Sequence, residues 1–172
     1  MDPAEKYRID KTLPYVRGRL LDVGCGFNNL VREYGSGTGA DVHPWPGVDV
    51  IIPDAGRLPF REASFDTVAM IAMLNHVPKR REALVEARRV LRPAGQLLVT
   101  MIGPVVGRLA HLLFVRDELE RGGMKSGELL GMRTHEVRAL LTGMGFRIVA
   151  EAPFELGLNR LYVAAKASGK EP

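Results

Sequence analysis

Leu20-Leu21-Asp22-Val23-Gly24-Cys25-Gly26 begins as an apolar run and ends in alternating glycines. The segment reads as a short buried strand, Arg19 to Val23, running into a tight turn, with a short helix over Phe27 to Tyr34 stopped by Gly35 and Gly37. Glycine lacks a Cβ and accepts positive φ, so such a turn lets backbone approach a ligand closely. A dinucleotide fingerprint needs a third glycine at the position of Asn29, and it is missing. Asp22 matters more: a carboxylate here repels phosphate and suits a cationic ligand. The plainer role for Asp22, a cap on the following turn, stays open.

Outward from this turn, strands and helices alternate. Ala40 to Val42 and Val48 to Ile52 read as the second and third strands, separated by the turn His43-Pro44-Trp45-Pro46-Gly47. Phe65 to Ile71 is the fourth strand. A helix follows from Lys79 to Leu91, with Leu84, Ala87, Arg88 and Leu91 on one stripe, and Arg92-Pro93-Ala94-Gly95 stops it. Gln96 to Ile102 is the fifth strand. Thr134 reads as the N-cap of a helix to Thr142, and Phe146 to Pro153 and Leu158 to Ala165 are the last two strands. A helix also leads the chain over Lys6 to Val16. Alternation of this kind predicts an α/β fold with parallel strands and helices on both faces. The link through Gly157 is too short for a parallel crossover, so the final pair must be antiparallel neighbours. The expected sheet has seven strands, mostly parallel, with one reversed near the C-terminus.

Three acids stand at the ends of the first three strands: Asp22, Asp41 and Asp54. Ligands of open α/β sheets bind at the carboxyl ends of the strands. Asp41 lies where a ribose-binding acid of a nucleoside cofactor is expected, and Asp54 can accept a bond from an adenine amino group. Each also has an ordinary explanation as a turn residue.

The 172 residues suit a single domain, residues 1–172, and are 46% hydrophobic and 26% charged, as in a soluble globular chain. The net charge is +4, yet Lys79, Arg80, Arg81, Arg88 and Arg89 alternate with Glu82 and Glu86 as on a solvated helix face. No basic run interleaved with aromatics suggests nucleic acid as a partner. One cysteine, Cys25, excludes an internal disulfide, and no acid or histidine cluster suggests a metal. Neither a signal-like start nor a transmembrane stretch is visible, so a cytoplasmic location is the expectation. Residues 168–172 read as a loose tail.

LLDVGCG (Leu20 to Gly26), GADV (Gly39 to Val42), DAGRLPF (Asp54 to Phe60), SFDTVAMIAMLNHV (Ser64 to Val77) and RVLRPAGQLLV (Arg89 to Val99) together resemble the class I S-adenosylmethionine-dependent methyltransferases, small-molecule (type 11) branch. The resemblance implies a Rossmann-like, doubly wound sheet and S-adenosyl-L-methionine as cofactor. It implies that Asp22 and the Gly24-Cys25-Gly26 turn form the cofactor loop. Asp41 would bind the ribose, with Val42 against adenine. Asp54, Ala55 and Leu58 would lie at the adenine edge, and Met70 close to the reacting sulfonium. Asn28 stands where the family has a third glycine, which predicts a looser loop there.

His76, after the fourth strand, is the candidate general base, with a buried structural role as the alternative; His43, His111 and His135 are weaker candidates. Residues 1–16, the N-terminal helical segment, and 103–132, a variable lid, would select a small-molecule acceptor, with an apolar one as the expectation. Leu109, Leu112, Leu113, Phe114 and Val115 suit an apolar pocket there, or equally an ordinary core-facing helix. Two other readings stay open: a non-catalytic S-adenosylmethionine-binding module, and a nicotinamide-dependent oxidoreductase. An amino-methylating nucleic-acid enzyme is disfavoured, because Asn75-His76-Val77-Pro78 does not match its Asn/Asp-Pro-Pro-aromatic tetrapeptide.

Overall fold

Asp2 sets the start of the first helix in the computed structural model, which describes residues 1–105 and 127–167. Its carboxylate accepts the Glu5 N–H at 2.8 Å, and Pro3 occupies the first helical position, so α1 spans Pro3–Thr12 rather than beginning at Lys6. A 3-10 turn over Leu13–Tyr15, which includes Pro14, carries the chain away. The other helices that lie wholly among the described residues are α2 (Asn29–Tyr34), α3 (Arg80–Val90) and α4 (Thr134–Gly143). Most of the expected 103–132 lid, with His111 and its apolar run, and the 168–172 tail lie outside the described residues.

Seven strands form one sheet: β1 (Leu20–Val23), β2 (Thr38–Asp41), β3 (Val50–Ile51), β4 (Phe65–Met70), β5 (Leu91–Ile102), β6 (Phe146–Phe154) and β7 (Asn159–Lys166). Their order is β3-β2-β1-β4-β5-β7-β6. The first five are parallel, and β7 runs antiparallel to both β5 and β6. This is the expected doubly wound, mostly parallel sheet with one reversed strand. The three-residue connection Glu155–Gly157 forces the reversal. The chain winds outward from β1 to β3 and returns on the other side of β1 as β4. The crevice of such a sheet therefore opens at the carboxyl ends of β1 and β4.

Alternation of side chains sorts the core into two layers. Leu21, Val23, Val68, Met70, Leu97 and Val99 face α3 and α4, meeting Leu84, Ala87, Val137 and Leu141. Leu20, Ala69 and Leu98 face the other way, against Ile9 of α1 and Leu30 and Val31 of α2. Each such Leu or Val, fully buried, contributes about 1.5–3 kcal/mol.

Two local readings need correction. Arg92 to Gly95 do not separate α3 from β5; they bulge within the strand, where Phe65 pairs with Leu91 but Thr67 pairs with Gln96. Asp66 holds the bulge by a two-pronged ion pair to Arg92 at 2.8 and 2.9 Å. Arg133, not Thr134, caps α4: the Glu136 carboxylate accepts the Arg133 N–H at 2.6 Å, while Thr134 bonds the Tyr162 side chain. No helix among the described residues is long and apolar enough to cross a membrane.

Candidate cofactor site

Gly24 and Gly26 both have positive φ, +73° and +52°, and the turn they make faces the end of β2. The Gly24 and Cys25 N–H groups donate to the Ala40 carbonyl at 2.8 and 3.2 Å. The Gly26 N–H donates to the Asp41 carboxylate at 2.9 Å. A pyrophosphate cradle needs backbone N–H groups aimed at the ligand, whereas these three are engaged within the protein.

The rim is instead acidic. Asp22 is only 3% exposed, and its Oδ1 has no hydrogen-bond partner among the described residues. Burial, then the charges of Asp41 and Glu5, push its carboxyl up to about 8. An ionisable group held this way is costly unless a partner arrives, and a cationic ligand group is a partner of the right sign. The donor set therefore fits the ammonium and sulfonium charges of S-adenosylmethionine and opposes a dinucleotide phosphate.

Asn28 departs from the expected looseness. It takes the left-handed conformation a glycine would have, φ 60° and ψ 31°, which asparagine tolerates better than most residues. Its amide donates to the Gly47 carbonyl at 2.8 Å and to Asp49 at 2.9 Å, pinning the loop to the turn before β3. Gly39 makes room for it: a Cβ there would fall 2.0 Å from Asn28 Oδ1.

Asp41 is buried and two-handed, accepting the Gly26 N–H and, at 2.9 Å, the His43 N–H. Val42 beside it is exposed. Trp45 packs on Phe27 and His43, with ring centroids 5.4 and 5.7 Å apart. Asp54 accepts the Gly56 N–H at 2.6 Å and lies 3.5 Å from Lys79 Nζ, on an open cavity of about 450 Å³ shared with Arg57 and Glu82. Ala55, Leu58 and Met70 turn into the core. Met73 is the methionine lying against the loop, where a Cβ on Gly24 would come within 2.8 Å of it.

His76 ends a 3-10 turn, Leu74–His76, that follows β4. Its Nε2 lies 3.1 Å from the Asn75 amide and its Nδ1 3.6 Å from Oε2 of Glu128, whose side chain is only 10% exposed. Glu128 arrives on a segment tied over the sheet edge, where Leu129 N–H donates to the Asn75 carbonyl and Met132 N–H to the Ile102 carbonyl. His135 is exposed at the start of α4. Cys25 is buried; burial and the charges of Asp22, Asp41 and Asp49 push its thiol up, so it stays protonated and inert.

Glu5, Met73, Asp49 and Glu128 were not legible as site residues. They lie in separate elements and share no local pattern with the loop. Asp49 alone offered a hint, as an acid closing a glycine turn.

Comparison with known proteins identifies the family and the fold. A family model described as a methyltransferase domain matches residues 21–99. The O-methyltransferase rstn1 of Aspergillus nomiae is 30% identical over 171 residues, covering 82% of this chain and 70% of that protein. The phthiotriol/phenolphthiotriol dimycocerosates methyltransferase 1 of Mycobacterium ulcerans is 36% identical over 103 residues, half of this chain; the match spans 38% of that relative's length. Among solved structures, a SAM-dependent methyltransferase from Thermotoga maritima superposes with TM-score 0.72 at 19% identity, covering 92% of this chain and 87% of that one. At that identity the likeness shows the fold.

Proposed function

The chain belongs to the class I S-adenosylmethionine-dependent methyltransferases, and from that premise we propose that it transfers a methyl group from S-adenosyl-L-methionine to a small, apolar acceptor. The observation that carries the reading is the buried Asp22 carboxylate with an unpartnered oxygen at the end of β1. When bound, S-adenosylmethionine supplies an electrophilic methyl group and a neutral thioether leaving group. The protein's own part is alignment and exclusion of water.

In this reading Asp22 and the Gly24-Cys25-Gly26 turn hold the cationic end of the cofactor. Asp41 accepts from the ribose hydroxyls, using lone pairs beyond those engaged by Gly26 and His43. Val42 covers one face of the adenine, and Asp54, backed by Ala55 and Leu58, accepts from its amino edge. Met70 supports the pocket floor from the core, and Met73 meets the loop above it. His76 takes a proton from an acceptor O–H, which requires Nε2 to exchange the Asn75 amide for the acceptor; the nearby Glu128 supports this, because a carboxylate beside Nδ1 favours the tautomer whose Nε2 accepts. The 1–16 and 103–132 segments select the acceptor, and the Mycobacterium ulcerans relative, named for a small-molecule acceptor, favours that class.

The test is calorimetric binding of S-adenosylhomocysteine and of NAD, followed by transfer of a tritiated methyl group into an apolar extract. Binding of S-adenosylhomocysteine with labelled product is expected. Binding of NAD instead overturns the cofactor assignment, and binding without turnover against any acceptor pool leaves a binding module.

A further inference from the structure

Leu20 and Asp22 stand two residues apart on β1, so they share a face of the sheet. That face is the one α1 and α2 cover, since Leu20 packs with Ile9, Leu30 and Val31. Asp22 therefore aims its carboxylate beneath these two helices. Glu5 stands one helical turn before Ile9, so α1 presents both along one side. Ile9, only 3% exposed, anchors the helix. Glu5 accepts the Asn29 amide N–H at 2.8 Å, and Asn29 is the buried first residue of α2, three residues beyond Gly26.

Two carboxylates thus converge at the mouth of the glycine loop, from separate elements. The neighbouring cations make no direct pair with either carboxylate: Lys6 pairs with Asp10 and Glu33, and Arg32 bonds the Phe27 carbonyl and the oxygen of the Asn29 amide, reaching Glu5 only through Asn29. No salt bridge among the described residues reaches Glu5, Asp22 or Asp41. The Glu5 charge is felt at Asp22, where it helps raise the carboxyl. Two carboxylates with no direct ion pair among the described residues suit a positive ligand group at this loop.

We propose that Glu5, delivered by α1 and held by Asn29, is a second carboxylate for the ammonium group of the cofactor's amino-acid tail, which makes α1 part of the cofactor site. The proposal rests on the cofactor reading above and deepens it. It predicts selectivity for ligands that carry the tail. Removing the Glu5 charge weakens those ligands and spares ligands that keep only the adenosine and thioether parts. Glutamine keeps the acceptor oxygen for Asn29, so Glu5→Gln removes the charge and preserves the contact between the helices.

The experiment is calorimetric titration of wild type and Glu5→Gln with S-adenosylhomocysteine and with 5′-methylthioadenosine, which lacks the amino-acid tail. The expected result is a loss of about fivefold or more for S-adenosylhomocysteine and no change for 5′-methylthioadenosine. Unchanged affinity for S-adenosylhomocysteine in the variant overturns the Glu5 assignment while leaving the cofactor reading in place. An equal loss for both ligands also overturns it, because a merely structural role for α1 would disturb both. Failure of wild type to bind either ligand overturns the cofactor reading, and this proposal with it.

Discussion

Asp22→Asn, titrated with S-adenosylhomocysteine between about pH 6 and pH 8, tests the electrostatic core of the site. With its carboxyl pushed up to about 8, roughly nine-tenths of the free protein carries a protonated Asp22 near pH 7. A bound ammonium group favours the ionised form, so binding must release most of one proton there. Wild-type affinity then rises by nearly tenfold per pH unit up to about pH 7 and by about fivefold from there to about pH 8. The asparagine variant has no proton to release and shows no such rise. At about pH 6 some 99% of wild-type Asp22 is neutral, and the two proteins should bind almost alike. At about pH 8 wild type should lead by roughly fiftyfold. Calorimetry in buffers of different ionisation enthalpy counts the released proton directly. Flat wild-type affinity, or a slope that persists in Asp22→Asn, refutes the reasoning.

Further outcomes follow from the same geometry. Because the folded-state carboxyl of Asp22 is raised above its unfolded value of 3.8 to about 8, the free protein loses stability as pH rises through that window; Asp22→Asn should melt higher than wild type near pH 8, by the equivalent of at least about 1 kcal/mol, in thermal scans without cofactor. Gly39→Ala should cost about 2 kcal/mol or more, since its Cβ would fall 2.0 Å from Asn28 Oδ1, and Asn28→Gly in the same chain should recover much of that loss in urea unfolding. Asp41→Ala should weaken S-adenosylhomocysteine by more than about tenfold while circular dichroism stays native, because both the ribose acceptor and the Gly26 N–H partner are lost.

Local chemistry made much of this protein legible from its amino acids alone. A buried strand entering alternating glycines, acids at successive strand ends, and a link too short for a crossover each obey rules that act over a few residues. They determined the order of elements, the antiparallel final pair and the acidic rim. Arg92 to Gly95 show the limit of that reach: the same residues suit a helix stop or a bulge, and the pairing of Asp66 with Arg92 across strands chose the bulge. Contacts distant in sequence were decided only by tertiary packing. The insertion of β7 between β5 and β6, the fit of Gly39 around Asn28, Glu128 beside His76 and Glu5 of α1 against Asn29 of α2 all join segments with no shared period. Their energies come from Coulombic and steric terms that fall off with distance in space, and separation along the chain does not record that distance.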